Sequence, residues 1–128
     1  MTTSATTEFA LCMLAAGALS GWLVVLRSAF PQVVTRLGIR SPRRLLQTHL
    51  ACLMWGPILI AVDLAVPDRP TWSTAVLLAG AVVSPALYLP LAFREQWAAT
   101  VTYRAISGAT FVAINIGLIV AAGTALMR

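Results

Sequence analysis

Four runs of mostly apolar residues, 9–26, 45–66, 72–93 and 105–126, leave this chain little choice of solvent. Each is near the ~20 residues that cross a bilayer's hydrocarbon core as an α-helix. None shows the alternating polarity in short strands that a membrane barrel needs, and backbone groups in lipid must pair within their own segment, so all four are expected to be helical. Composition closes the soluble alternative. Of 128 residues, 59% are hydrophobic and 10% charged, and the mean hydropathy is +0.87. A soluble domain this small needs more polar surface than that. The predicted fold is therefore all-α, one domain over residues 1–128, an integral membrane four-helix bundle with antiparallel up-down topology. So short a bundle encloses little volume, and a homo-oligomer is expected to supply further walls.

The connections give the orientation. All nine basic residues are arginine, and the net charge is +5. Arg27, Arg36, Arg40, Arg43 and Arg44 fall between the first two runs, and Arg94 and Arg104 between the last two. Only Arg69 and Arg128 belong to the other side. Such clustering beside apolar spans follows the positive-inside bias of membrane loops and needs no nucleic-acid partner. Loops one and three are expected to be cytoplasmic, with both termini extracytoplasmic, in a bacterial inner membrane. The segment VPDRPT, with Pro67 and Pro70, reads as a tight turn between the second and third spans. Trp22, Trp72, Trp97 and Tyr103 stand near span ends, as interfacial aromatics do. The first run lacks a basic leader and carries Glu8, so it is expected to be kept as a span rather than removed as a signal. Cys12 and Cys52 lie inside apolar runs and read as small buried hydrophobes.

Polar residues within the spans are costly in lipid and therefore informative. His49, the one histidine, lies about five residues into the second span; Tyr88 lies about six residues before Arg94 in the third. At 1.5 Å per residue both sit about 8 Å inside the same membrane face. Ser84 is one turn from Tyr88 on the same helical face. Three readings of His49 stand: an axial ligand for haem iron, a proton relay or general base, and a structural histidine bonded to a carbonyl or hydroxyl. Asp63 and Glu8 fall toward the opposite face, close enough to water to stay hydrated. Their functional reading is the cation or proton site of a small transporter. Asn115, mid-way along the fourth span, is expected to hydrogen-bond another helix. Gly17 and Gly21 form a GxxxG that lets a helix approach closely. Pro57, Pro85 and Pro90 are candidate kinks. No paired carboxylates, GxSxG, HExxH or phosphate-cradling loop is present, so an enzyme here would take its chemistry from a cofactor.

The stretch Ser41-Pro-Arg-Arg-Leu-Leu-Gln-Thr-His49-Leu-Ala-Cys-Leu-Met-Trp55-Gly56 resembles the start of the second span in styrene oxide isomerases and hydroxylaminobenzene mutases. Those small four-span membrane enzymes carry a histidine followed seven residues later by glycine, usually with asparagine before that glycine. Ser84-Pro-Ala-Leu-Tyr88-Leu-Pro-Leu-Ala-Phe93 is similar to their third-span segment, and Leu14, Gly17 and Gly21 to their first span. The resemblance implies a homotrimer in which His49 is the axial ligand of haem b and Tyr88 lines the substrate pocket. It also implies that ferric iron acts as a Lewis acid on an epoxide oxygen, with a 1,2-hydride shift to the aldehyde. Trp55 and Ser84 stand where the family usually has asparagines. An indole in place of a carboxamide removes an acceptor and fills volume, so the pocket is expected to be smaller and more aromatic.

The function expected on these grounds is a haem b-dependent isomerase rearranging a small apolar epoxide or an N-aryl hydroxylamine. His49 would hold the cofactor, and Tyr88, Ser84 and Trp55 would shape the reaction pocket. Two other classes compete: an oligomeric four-span transporter depending on Glu8 or Asp63, and a cofactor-free membrane assembly or structural subunit in which His49 is dispensable.

Overall fold

The computed structural model describes residues 4–127. The described residues are overwhelmingly helical: α1 (Ala5–Ala29), α2 (Pro31–Arg36), α3 (Pro42–Ala65), α4 (Thr71–Phe93), a 3₁₀ segment (Glu95–Ala99) and α5 (Val101–Leu126). α1, α3, α4 and α5 are long and apolar enough to cross a membrane. Each begins one to four residues before its apolar run, because polar chemistry and proline at the amino-terminal ends start the helix early. The Ser4 hydroxyl caps α1 by accepting from the Thr7 amide, and the Thr100 hydroxyl caps α5 by accepting from Tyr103. Proline at the first position opens α2 and α3. Pro57, Pro85 and Pro90 all lie within unbroken helices.

The four long helices pack antiparallel and in chain order: α1 on α3, α3 on α4, α4 on α5, with no comparably extended face returning from α5 to α1. Burial follows from this order. α4, flanked on both sides, is the most enclosed span, and the edge helices α1 and α5 the least. One core cluster, Ala10, Leu59, Leu77 and Ala81, ties α1, α3 and α4 together. A second, Val34, Ile39, Leu45 and Ala92, folds α2 and its loop beneath α3 and α4.

Glycines set the closest approaches. A Cβ at Gly17 would stand 2.8 Å from Leu53 Cδ2, one at Gly21 2.9 Å from His49 Cε1, and one at Gly56 would overlap Leu14. Both glycines of the GxxxG are thus used for α1–α3 packing within the chain and not held for a second copy. At the α4–α5 seam, Gly80 receives Ile114 and Gly117 receives Leu77.

Each end of the bundle has its own polar clasp. At the arginine-rich end the Arg40 and Ser41 amides donate to the Ala92 carbonyl at 2.8 and 2.9 Å, and Arg44 pairs with Glu95 at 3.4 Å. Loops one and three therefore lie together, as their shared charge implies. At the other end Asp63 is not left to water. Arg69 reaches back from the α3–α4 turn to its carboxylate at 3.0 Å, with side-chain exposures of 3% and 13%. Ser4 and Thr7 donate to the second carboxylate oxygen. Arg69 also donates to the Val62 and Val66 carbonyls, which accept backbone N–H groups as well where α3 ends, and to Thr6.

Two further expectations change. Asn115 donates to the Phe111 carbonyl one turn back on its own helix, at 2.8 Å, and not to another helix. Cys52 is buried as expected, whereas Cys12 lies exposed on α1.

Candidate functional site

His49 projects from the third turn of α3 onto α1, at the place Gly21 leaves open. Its Nδ1 lies 2.7 Å from the Gly17 carbonyl oxygen. A carbonyl only accepts, so Nδ1 carries the proton and, in the neutral ring, Nε2 keeps its lone pair. Ser20 closes the arrangement, donating to the same carbonyl at 2.8 Å with its oxygen 3.3 Å from Nδ1. This is the carbonyl bond expected of a structural histidine. It is also the bond that orients metal-ligating imidazoles, whose second nitrogen is characteristically tied to a carbonyl or carboxylate. Among the described residues no donor meets Nε2.

The ring lines a groove of about 420 Å³ between α1 and α3, whose other walls are apolar, chiefly Trp22, Val25, Leu46 and Leu50. The groove's chemistry suits a flat hydrophobic macrocycle held by one imidazole. Among the described residues no group of three His, Cys, Asp or Glu side chains gathers to hold a metal ion of another kind.

Trp55, Ser84 and Tyr88 are brought together, but in a neighbouring groove. They line a space of about 310 Å³ between α3 and α4, with Gln47, Leu50 and Met54. Tyr88 thus shares a groove with residues between 47 and 58 of α3. His49 does not enter that groove within one chain. Leu50, 48% exposed, is the ridge between the two spaces and borders both.

Ser84 and Tyr88 also face the other way. With Tyr103, Ser107 and Thr110 of α5 they line a cavity of about 120 Å³ between α4 and α5. Five hydroxyls therefore meet on one seam at membrane depth. From the sequence Tyr103 is recognisable only as an interfacial aromatic, and Ser107 and Thr110 do not stand out singly. Their signal was present as hydroxyl residues spaced i, i+4, i+7 on one face of the fourth span.

The acids are spent elsewhere. Asp63 is committed to Arg69, Ser4 and Thr7, fourteen residues along α3 from His49, or about 21 Å of helix. Comparison with known proteins finds no family model, no curated protein and no solved structure that matches this chain.

Proposed function

We propose that the protein is a haem b-dependent membrane isomerase that rearranges a small apolar substrate, an epoxide or an N-aryl hydroxylamine, with no net electron change. The observation that carries this reading is the 2.7 Å approach of His49 Nδ1 to the Gly17 carbonyl oxygen, which selects the Nδ1–H tautomer. The Gly17 carbonyl accepts from Nδ1, which leaves the lone pair on Nε2 of a ring that lines an apolar groove.

In this reading His49 holds the cofactor, the Gly17 carbonyl and Ser20 fix the ring's direction, and Gly21 supplies the space in which it lies. Ferric haem bound there supplies a Lewis acid able to polarise an epoxide or hydroxylamine oxygen. Within one chain Trp55, Ser84 and Tyr88 lie across the Leu50 ridge from His49, so in this reading a neighbouring copy would bring its own aromatic wall and hydroxyls to the substrate's oxygen. The indole narrows the space, which favours a substrate other than styrene oxide. A homotrimer would place a neighbouring copy over the open His49 groove and complete its second wall. The arginine-rich end would be cytoplasmic and both termini extracytoplasmic, in a bacterial inner membrane.

The test is the visible spectrum of protein purified in mild detergent with haem supplied, beside His49→Ala. A Soret band near one haem per chain, absent from the variant, is the expected result. A colourless, helical wild type overturns the proposal and returns the transporter and structural readings. The transporter reading has the weaker starting point, because Asp63 is already paired with a buried arginine.

A further inference from the structure

At the arginine-rich end the chain forms an open cavity that the isomerase reading does not use. It measures about 490 Å³ and lies among the last turns of α1, helix α2 and the loop into α3, bordered by Arg27, Thr35, Gly38 and Arg40. Its apolar floor, Val34 and Ile39, is buried in the second core cluster. Two features fix its shape. Gly38 takes a φ of 79°, which turns the chain back from α2 and which L side chains rarely adopt. The Arg40 amide is pinned to the Ala92 carbonyl at 2.8 Å, so the residue carrying the second charge does not wander.

No ion pair among the described residues neutralises the arginines that line this cavity. Glu95 is the one acid among seven arginines at this end, and it pairs with Arg44. Among the described residues neither Arg27 nor Arg40 has an ion-pair partner. Positive-inside bias accounts for the number of arginines near a span, but not for two from separate segments lining one cleft. Beside it, Phe30, Val33 and Leu37 are 60%, 39% and 54% exposed, at the level where α1 ends. A ligand suited to the place has an anionic head small enough to enter and an apolar body that continues along α1 and α2.

We infer that this cavity binds the phosphate of an anionic phospholipid, with Arg27 and Arg40 on the phosphate and the acyl chains against Phe30, Val33 and Leu37. Basic pockets at the ends of membrane helices are suited to such head groups. The inference is independent of haem binding and has its own readout.

The experiment measures the affinity of the full-length protein in detergent for phosphatidylglycerol, phosphatidylcholine and inorganic phosphate, by native mass spectrometry and by thermal shift. Phosphatidylglycerol should bind and raise the unfolding midpoint, and phosphatidylcholine should do so far less. Arg27→Gln with Arg40→Gln should weaken phosphatidylglycerol roughly thirtyfold, about fivefold per arginine. Arg36→Gln with Arg43→Gln, the same charge removed outside the cavity, should weaken it by a much smaller factor. Equal losses in the two double variants would show a diffuse surface field and overturn the site. The wild-type protein gives a test that needs no variant. Equal affinity for the two lipids overturns the inference, and inorganic phosphate reproducing the full thermal shift overturns the lipid as its source.

Discussion

Gly21 has no side chain where His49 has a ring. A methyl group there would stand 2.9 Å from Cε1, closer than real contacts allow, and the imidazole cannot retreat while Nδ1 keeps the Gly17 carbonyl. Gly21→Ala is therefore expected to lower haem occupancy several-fold, read as Soret absorbance per protein, while the far-ultraviolet spectrum stays helical. Because the chain has one histidine, nitrogen-15 spectra of the haem-free protein report its tautomer directly. A protonated Nδ1 and an unprotonated Nε2 are expected; the opposite tautomer would contradict the Gly17 bond. At the far end, Arg69→Gln strips Asp63 of its cation and the Val62 and Val66 carbonyls of a second donor, leaving a largely buried carboxylate with only the Ser4 and Thr7 hydroxyls. The expected loss is about 3 kcal/mol, measured by denaturant or thermal unfolding in detergent. Asp63→Asn combined with Arg69→Gln should lose less than the arginine change alone, since no unpaired charge remains. Nothing in the sequence announced this pair. Asp63 and Arg69 are six apart, off any helical face, and meet only because the turn doubles back.

Each span was legible as an element, since about 20 apolar residues bounded by proline or arginine have one stable form in lipid. Less legible was which face each span gives to which neighbour. The Gly17 and Gly21 pair announced a close approach, but hydropathy does not name the partner, and here it is α3 of the same chain. Trp55, Ser84 and Tyr88 were placed together through resemblance and depth, and they share a groove. His49 and Tyr88 share a depth but not a groove, because depth is read from turns along each helix while facing depends on rotation about it. Glycines distinguish the faces experimentally. A Cβ at Gly117 would stand 2.7 Å from Leu77 Cβ and 3.1 Å from its Cα, so α4 and α5 would have to separate, whereas a Cβ at Gly108 meets nothing within 4 Å. Gly117→Ala is expected to destabilise by about 1–3 kcal/mol, and Gly108→Ala to leave the unfolding midpoint unchanged or slightly raised. Equal effects would mean that the α4–α5 seam is not packed as described.

As a whole the molecule is a row of four spans whose two ends differ in chemistry. One gathers seven arginines against a single acid, and the other is closed by the Asp63–Arg69 network. The charge difference predicts that cysteines introduced into the segment 27–44 react with a permeant thiol reagent but not an impermeant one in intact cells, and that a cysteine near Pro67 reacts with both. The Arg69 clasp also has a consequence in time. Its partners Ser4, Thr6 and Thr7 begin the chain's first helix, while the guanidinium that completes the network lies more than sixty residues later. During synthesis α1 enters the bilayer long before its clasp exists, and the network at its amino-terminal end stays incomplete until the turn after α3 has been made. The order of the sequence thus makes the α3–α4 turn the last stitch that fastens the first helix in place.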